Sequence, residues 1–76
     1  MSDDFMSDFI RDRKEALLSL DRKKIEAYLK KYDESIPTDE NVFWASIHYA
    51  RLGITDFPDD AKKVSREWLI EHGLKP

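Results

Sequence analysis

The sequence predicts an all-α protein, a compact bundle of four short helices with the third helix central. Three observations predict it. Apolar residues recur at three- and four-residue intervals in four separate stretches. The two glycines and three prolines fall between or after those stretches and interrupt none of them. Nowhere do β-branched or aromatic residues alternate with polar ones over the length of a strand.

The first helix is predicted over residues 3–18. Asp3 and Asp4 fall in its first turn, where carboxylates complement the unpaired N–H groups and the helix dipole. Its apolar face is Phe5, Met6, Phe9, Ile10, Ala16, Leu17 and Leu20. Arg13 falls within that face, and an unpaired interior charge costs several kcal/mol. Either its stem covers the core edge while the guanidinium reaches water, or it joins a salt bridge between helices or between subunits.

The second helix is predicted over residues 21–32. Asp21 is placed as its N-cap, with Leu20 and Ile25 at the two positions of a hydrophobic staple. Ile25, Tyr28, Leu29 and Tyr32 follow the i, i+3, i+4, i+7 spacing of a buried face. The longest break is DESIPTD, Asp33 to Asp39, in which Pro37 holds Ile36 extended.

Thr38 is the expected cap of the third helix, predicted over 39–52, with Asp39 and Glu40 in its first turn. Gly53 is expected to end it in a Schellman cap, with Ile54 folding back onto Tyr49. Within it, VFWASIHYARL is apolar on nearly every side. Phe43, Ile47 and Ala50 share one face, and Val42, Ala45, Tyr49 and Leu52 cover another. A helix apolar almost all round belongs in the middle of a structure.

The fourth helix, 58–72, repeats the design. Pro58 suits the first helical position, Asp59 and Asp60 fill the first turn, and Gly73 ends the helix with Leu74 placed to touch Leu69. Its expected core face is Ala61, Val64, Ser65, Trp68, Leu69 and His72. Short connections within the first and second halves of the chain favour two sharply turned helical pairs.

Seventy-six residues make a single helical domain, 1–76, near the lower size at which one core holds a chain folded without metal or disulfides. The absence of cysteine excludes a disulfide framework and thiolate zinc sites. No apolar run approaches the ~18 residues of a membrane span. The N-terminal MSDDFMSDF is acidic where a signal peptide would be basic. The expectation is a cytoplasmic protein with no membrane partner.

Net charge is −3, with 38% charged and 41% apolar residues. Residues 1–20 carry −2, residues 21–33 carry +2 and residues 34–41 carry −3. The basic run is Arg22, Lys23, Lys24, Lys30 and Lys31. No longer stretch sustains the positive field that neutralises several phosphates, which argues against strong non-specific nucleic-acid binding.

The sharpest candidate site is the polar stripe Trp44, His48 and Arg51 on the third helix. Its i, i+4, i+7 spacing stacks an indole, an imidazole and a guanidinium, with the chemistry to hold an anion or a flat aromatic ligand. The competing account is packing, with Trp44 against a neighbouring helix and His48 and Arg51 paired with carboxylates at the rim.

Two histidines, His48 and His72, fall short of the three or four ligands of a zinc site, so no metal or cofactor is expected. No serine lies in a GxSxG elbow or an SxxK pair, so no catalytic residue is expected either. Ser46 and Ser65 read as small residues at close helix contacts. Asp59 with Lys63, and Lys63 with Glu67, read as solvated i, i+4 pairs.

Leu18 and Ile70 point away from their helices' core faces, as partner contacts or as scattered surface residues. A helix-turn-helix is disfavoured because the third helix is apolar with a single cation, Arg51. In the fourth, Lys62, Lys63 and Arg66 are balanced by Asp59, Asp60, Glu67 and Glu71.

The phrases Phe43-Trp44-Ala45-Ser46-Ile47-His48-Tyr49-Ala50-Arg51 and Ser65-Arg66-Glu67-Trp68-Leu69-Ile70-Glu71-His72-Gly73-Leu74-Lys75-Pro76 resemble small uncharacterised helical proteins of Gram-positive bacteria and their mobile elements. The resemblance covers about the C-terminal half and implies a bacterial or phage accessory protein, with no activity attached. The functional expectation is a non-enzymatic module that binds another protein or itself. The alternative is a nucleic-acid-associated regulator using the Arg22–Lys31 face with Lys62, Lys63 and Arg66.

Overall fold

A computed structural model describes residues 2–76, with side chains from Phe5 onward. It is all-α, with helices α1 (Ser2–Ser19), α2 (Arg22–Lys31), α3 (Glu40–Gly53) and α4 (Asp59–Glu71), and no strand among the described residues. The side chains of Asp3 and Asp4, expected in the first turn of α1, lie outside the described residues. No helix is long and apolar enough to cross a membrane. The chain divides into two compact units, Met1–Ile36 and Pro37–Pro76, each a pair of consecutive helices.

In the first unit α1 turns into α2 at Leu20, whose backbone is left-handed with φ 50°. Asp21 caps α2 as its sequence predicts, its side chain accepting from the backbone N–H groups of Lys23 and Lys24. Ala16, Leu17 and Ile25 form the buried core. Beside it Phe9, Tyr28 and Tyr32 make a ring cluster with centroids 5.0 to 6.2 Å apart.

Asp12 ties the far end of the pair together. Its carboxylate accepts from Lys31 Nζ at 2.7 Å and from the Tyr32 hydroxyl at 2.8 Å. Those two bonds hold its pKa down at about 2. Burial, reinforced by the bond to Asp12, pushes the Tyr32 pKa up. The C-terminus of α2 is a Schellman motif, Glu34 N–H donating to Leu29 O and Asp33 N–H to Lys30 O. Asp33 takes the left-handed position, φ 56°, without the usual glycine.

The apolar face of α1 is only partly covered. Ala16 and Leu17 lie in the core, but Phe5, Met6 and Ile10 are exposed. The physical reason is length. α1 has 18 residues and α2 has 10, so at ~1.5 Å per residue α1 outruns its partner by roughly 12 Å.

In the second unit α3 packs against α4 around Phe43, Ile47, Phe57, Ala61 and Leu69. The cap of α3 is Asp39, not Thr38. Its carboxylate accepts from Val42 N–H at 3.0 Å, three residues on, where an N-cap side chain naturally reaches. At the other end the expected Schellman cap at Gly53 does not form. Gly53 is the last residue of the helix and the chain leaves through an extended Ile54, φ −90° and ψ 115°. The cap expected at Gly73 does form, φ 73°, with Leu74 N–H donating to Leu69 O and Gly73 N–H to Ile70 O.

Pro58 stands at the cap of α4, one position earlier than expected, with Asp59 and Asp60 in the first turn. Three further expectations are corrected. Val42 and Tyr49 are exposed, so α3 is not buried on every side, and Val64 and His72 lie outside the α4 core. Tyr49 has a reason to sit at the surface, because its hydroxyl donates to Lys75 O at 2.6 Å. The solvated pairs expected of Lys63 do not close, whereas Arg22 and Glu26 on α2 do, at 2.8 Å. Such exposed pairs gain little in water.

Candidate functional site

The stripe predicted on α3 becomes two different things in the fold. Trp44 lies half-buried at its edge, its indole N–H donating to Glu40 one turn earlier at 2.9 Å. His48 and Arg51 are sealed inside, 3% and 2% exposed. Neither meets a carboxylate among the described residues, which corrects the expectation that both pair with acids at a rim. At about 100° per residue they border the Phe43 and Ile47 face that α4 covers, so packing decided their fate.

His48 faces α4. Its Nδ1 shares a hydrogen bond of 2.9 Å with the Ser65 hydroxyl, and Ser65 is itself fully buried. The imidazole stacks on Trp68 with centroids 4.6 Å apart, and Trp68 stacks in turn on His72 at 3.8 Å. His72 Nδ1–H donates to Trp68 O at 2.8 Å. Trp44, His48, Trp68 and His72 thus form a continuous ring column, with Trp44 and His48 at 6.4 Å.

Burial, helped by the nearby positive charges of Arg51 and His72, pulls the His48 pKa down from 6.5 to about 4. The ring is therefore neutral at pH 7. Ser65 was read from sequence as a spacer between helices, and its bond to His48 was missed. The available signal was its place, between Ala61 and Leu69 on the core face of α4.

A serine bonded to a histidine invites comparison with a nucleophile and its base. The geometry does not support one here. Ser65 Oγ has no solvent access, so no carbonyl carbon can reach it, and no acid orients the imidazole from its other nitrogen among the described hydrogen bonds. What the pair does is satisfy two polar groups inside an apolar contact.

Arg51 lies near the end of α3, where the helix dipole favours a cation. Its guanidinium donates to Ala61 O at 2.9 Å and stands 5.6 Å from the centre of the Phe57 ring. Nε and Nη1 are buried without a hydrogen-bond partner, and burial lowers the Arg51 pKa. Phe57, just ahead of α4, was overlooked in the sequence because it belongs to no helical period.

The two apolar candidates are both exposed. Ile70 is 62% exposed on α4. Leu18 is also exposed and borders a solvent-open groove of about 690 Å³ between α1 and α2. Asp12 and Glu15 line it from α1, and Lys24, Tyr28 and Lys31 from α2.

The basic face of α2 is partly neutralised, since Arg22 pairs with Glu26 and Lys31 with Asp12. No group of three or more His, Asp or Glu residues among the described residues is arranged to hold a metal ion. No family model, curated protein or solved structure matches the chain.

Proposed function

We propose that this chain is a small non-enzymatic helical module that works by binding another protein or a second copy of itself. One contrast carries the reading. The polar side chains with the most chemistry, His48, Ser65 and Arg51, are enclosed, while large apolar side chains on every helix but α2 stand in solvent. Enclosed polar groups organise a fold, and exposed apolar groups gain free energy only when something covers them. A bacterial or mobile-element origin accompanies the proposal, and it rests on the resemblance of residues 43–51 and 65–76.

The test is affinity capture under crosslinking from a bacterial lysate, with wild-type chain and Ile70→Glu compared. The expected result is a captured protein that is lost on substitution while circular dichroism shows an unchanged helical fold. Capture that survives Ile70→Glu would remove this residue from the contact. The nucleic-acid alternative predicts binding to duplex DNA that weakens steeply with salt, and no binding at ~50 mM salt would end it.

A further inference from the structure

We infer that the groove between α1 and α2 receives the outer ridge of α4 from a second copy of this chain, with Ile70 as the apolar side chain it takes. The inference rests on the protein-binding reading and names its partner.

The groove sets the requirement. Its apolar lining is Ala16 and Leu18 from α1 with Ala27 and Tyr28 from α2. Leu18 is 40% exposed, and Ala27 is exposed as well. At the far end of the helix pair Asp12 and Lys31 join the two walls at 2.7 Å. The other two charges of the lining stay free. Glu15 on the α1 wall and Lys24 on the α2 wall make no side-chain hydrogen bond or ion pair among the described residues. An apolar floor thus lies between an unpaired carboxylate on one side and an unpaired ammonium on the other. The helix that suits it carries an apolar side chain with a cation on one flank and an anion on the other.

The outer face of α4 has that pattern. Ile70 is 62% exposed. At about 100° per residue, Arg66 stands about 40° to one side of it and Glu67 about 60° to the other, each within one turn. Both are exposed, and neither has a side-chain partner among the described residues. The other helices do not match. α2 exposes no large apolar side chain. α3 has no Asp, Glu, Lys or Arg between Glu40 and Arg51. Around Met6 and Ile10 on α1, Asp8 and Arg11 pair with each other at 3.2 Å.

Seated in the groove, Ile70 covers Leu18 and Ala27 while Arg66 meets Glu15 and Glu67 meets Lys24. Exposed ion pairs of this kind gain little by themselves. Their effect is on orientation, because the reversed helix sets like charges against each other. Leu18 and Ile70, the two side chains that point away from their own cores, then cover one another. Groove and ridge are different patches, so the contact closes when it is made twice about a two-fold axis and otherwise runs on as an open assembly.

Sedimentation equilibrium of the full chain over roughly 10 µM to 1 mM tests the proposal. Concentration-dependent association is expected, and Leu18→Glu and Ile70→Glu should each weaken it at least about tenfold with an unchanged circular dichroism spectrum. Dimers and longer assemblies both meet the expectation. Exchanged charges test the pairing itself. One chain carries Glu15→Lys and Lys24→Glu, the other Arg66→Glu and Glu67→Lys. Each alone should be monomeric, and their mixture should associate, which also shows that neither has lost its fold.

A wild-type chain that stays monomeric at the highest concentration overturns the seating. So does association indifferent to Leu18→Glu or to Ile70→Glu, or a mixture that remains monomeric. A monomeric chain that still captures a partner lost on Ile70→Glu overturns self-pairing and leaves the protein-binding reading standing. A monomeric chain that captures nothing overturns both.

Discussion

Acidification should destabilise the second unit through His48 well before most carboxylates titrate. In the unfolded chain the imidazole has its ordinary pKa of 6.5, and in the fold burial holds it at about 4. Because the folded value is the lower one, the unfolded chain binds the extra proton first as pH falls. Stability from this group is therefore fully present above pH 6.5 and lost progressively down to about pH 4. Linkage between those two values gives a loss of about 2 kcal/mol by pH 5 and about 3 kcal/mol near pH 4. Small domains have roughly 5–15 kcal/mol in all.

The assay is urea denaturation followed by far-UV circular dichroism at pH 7, 6 and 5 and constant ionic strength. The control is the double variant His48→Phe with Ser65→Ala, which keeps a ring against Trp68 and removes both hydrogen-bonding partners together. Wild type should lose about 2 kcal/mol more than the control between pH 7 and pH 5. Equal losses, or a native-state NMR titration of His48 near 6.5, would refute the reasoning.

Below that window Asp12 takes over. Its folded pKa of about 2 lies under the ordinary 3.8, so its contribution is present above pH 3.8 and lost as pH falls towards 2. Asp12→Asn should remove that acid sensitivity, read as a flatter melting temperature against pH. Ile25→Ala and Leu69→Ala, at fully buried positions, should each cost about 2–5 kcal/mol in urea titrations, against about 0.5 kcal/mol or less for Ile70→Ser. Asp33→Gly relieves a left-handed backbone and should raise stability by roughly 0.5–1 kcal/mol in thermal melts. Arg51→Met should leave stability unchanged or raise it, because two buried guanidinium nitrogens are unpaired and apolar replacement of a buried charge is often neutral or stabilising. Arg51→Ala should lower it, because it opens a cavity at a buried position that methionine would fill.

The helices were legible because their punctuation is local. Asp21, Asp59, Asp60 and Gly73 act within a few residues of where they stand, and each does what its sequence neighbourhood implies. Thr38 and Asp39 were interchangeable on that basis, since adjacent residues with capping oxygens differ only in the backbone angles the chain adopts. The burial of His48 and Arg51 was not legible. A helical wheel shows that they border the face of Phe43 and Ile47, but not how far α4 wraps around that border. That depends on Ser65 and Ala61 being small enough to admit an imidazole and a guanidinium between the helices. Exposure of Met6 and Ile10 was hidden for the complementary reason, because periodicity reports which way a face points and not where its partner helix ends.

The bonds that close each hairpin link residues near in sequence. Arg51 reaches Ala61, His48 reaches Ser65, and Tyr32 reaches Asp12, over 10, 17 and 20 positions. Closing such short loops costs little chain entropy, and chains dominated by local contacts fold in microseconds to milliseconds. Translation adds only ~5–20 residues per second. The first hairpin can therefore reach its native pairing from its own residues alone, without waiting for α3 and α4 to close on each other.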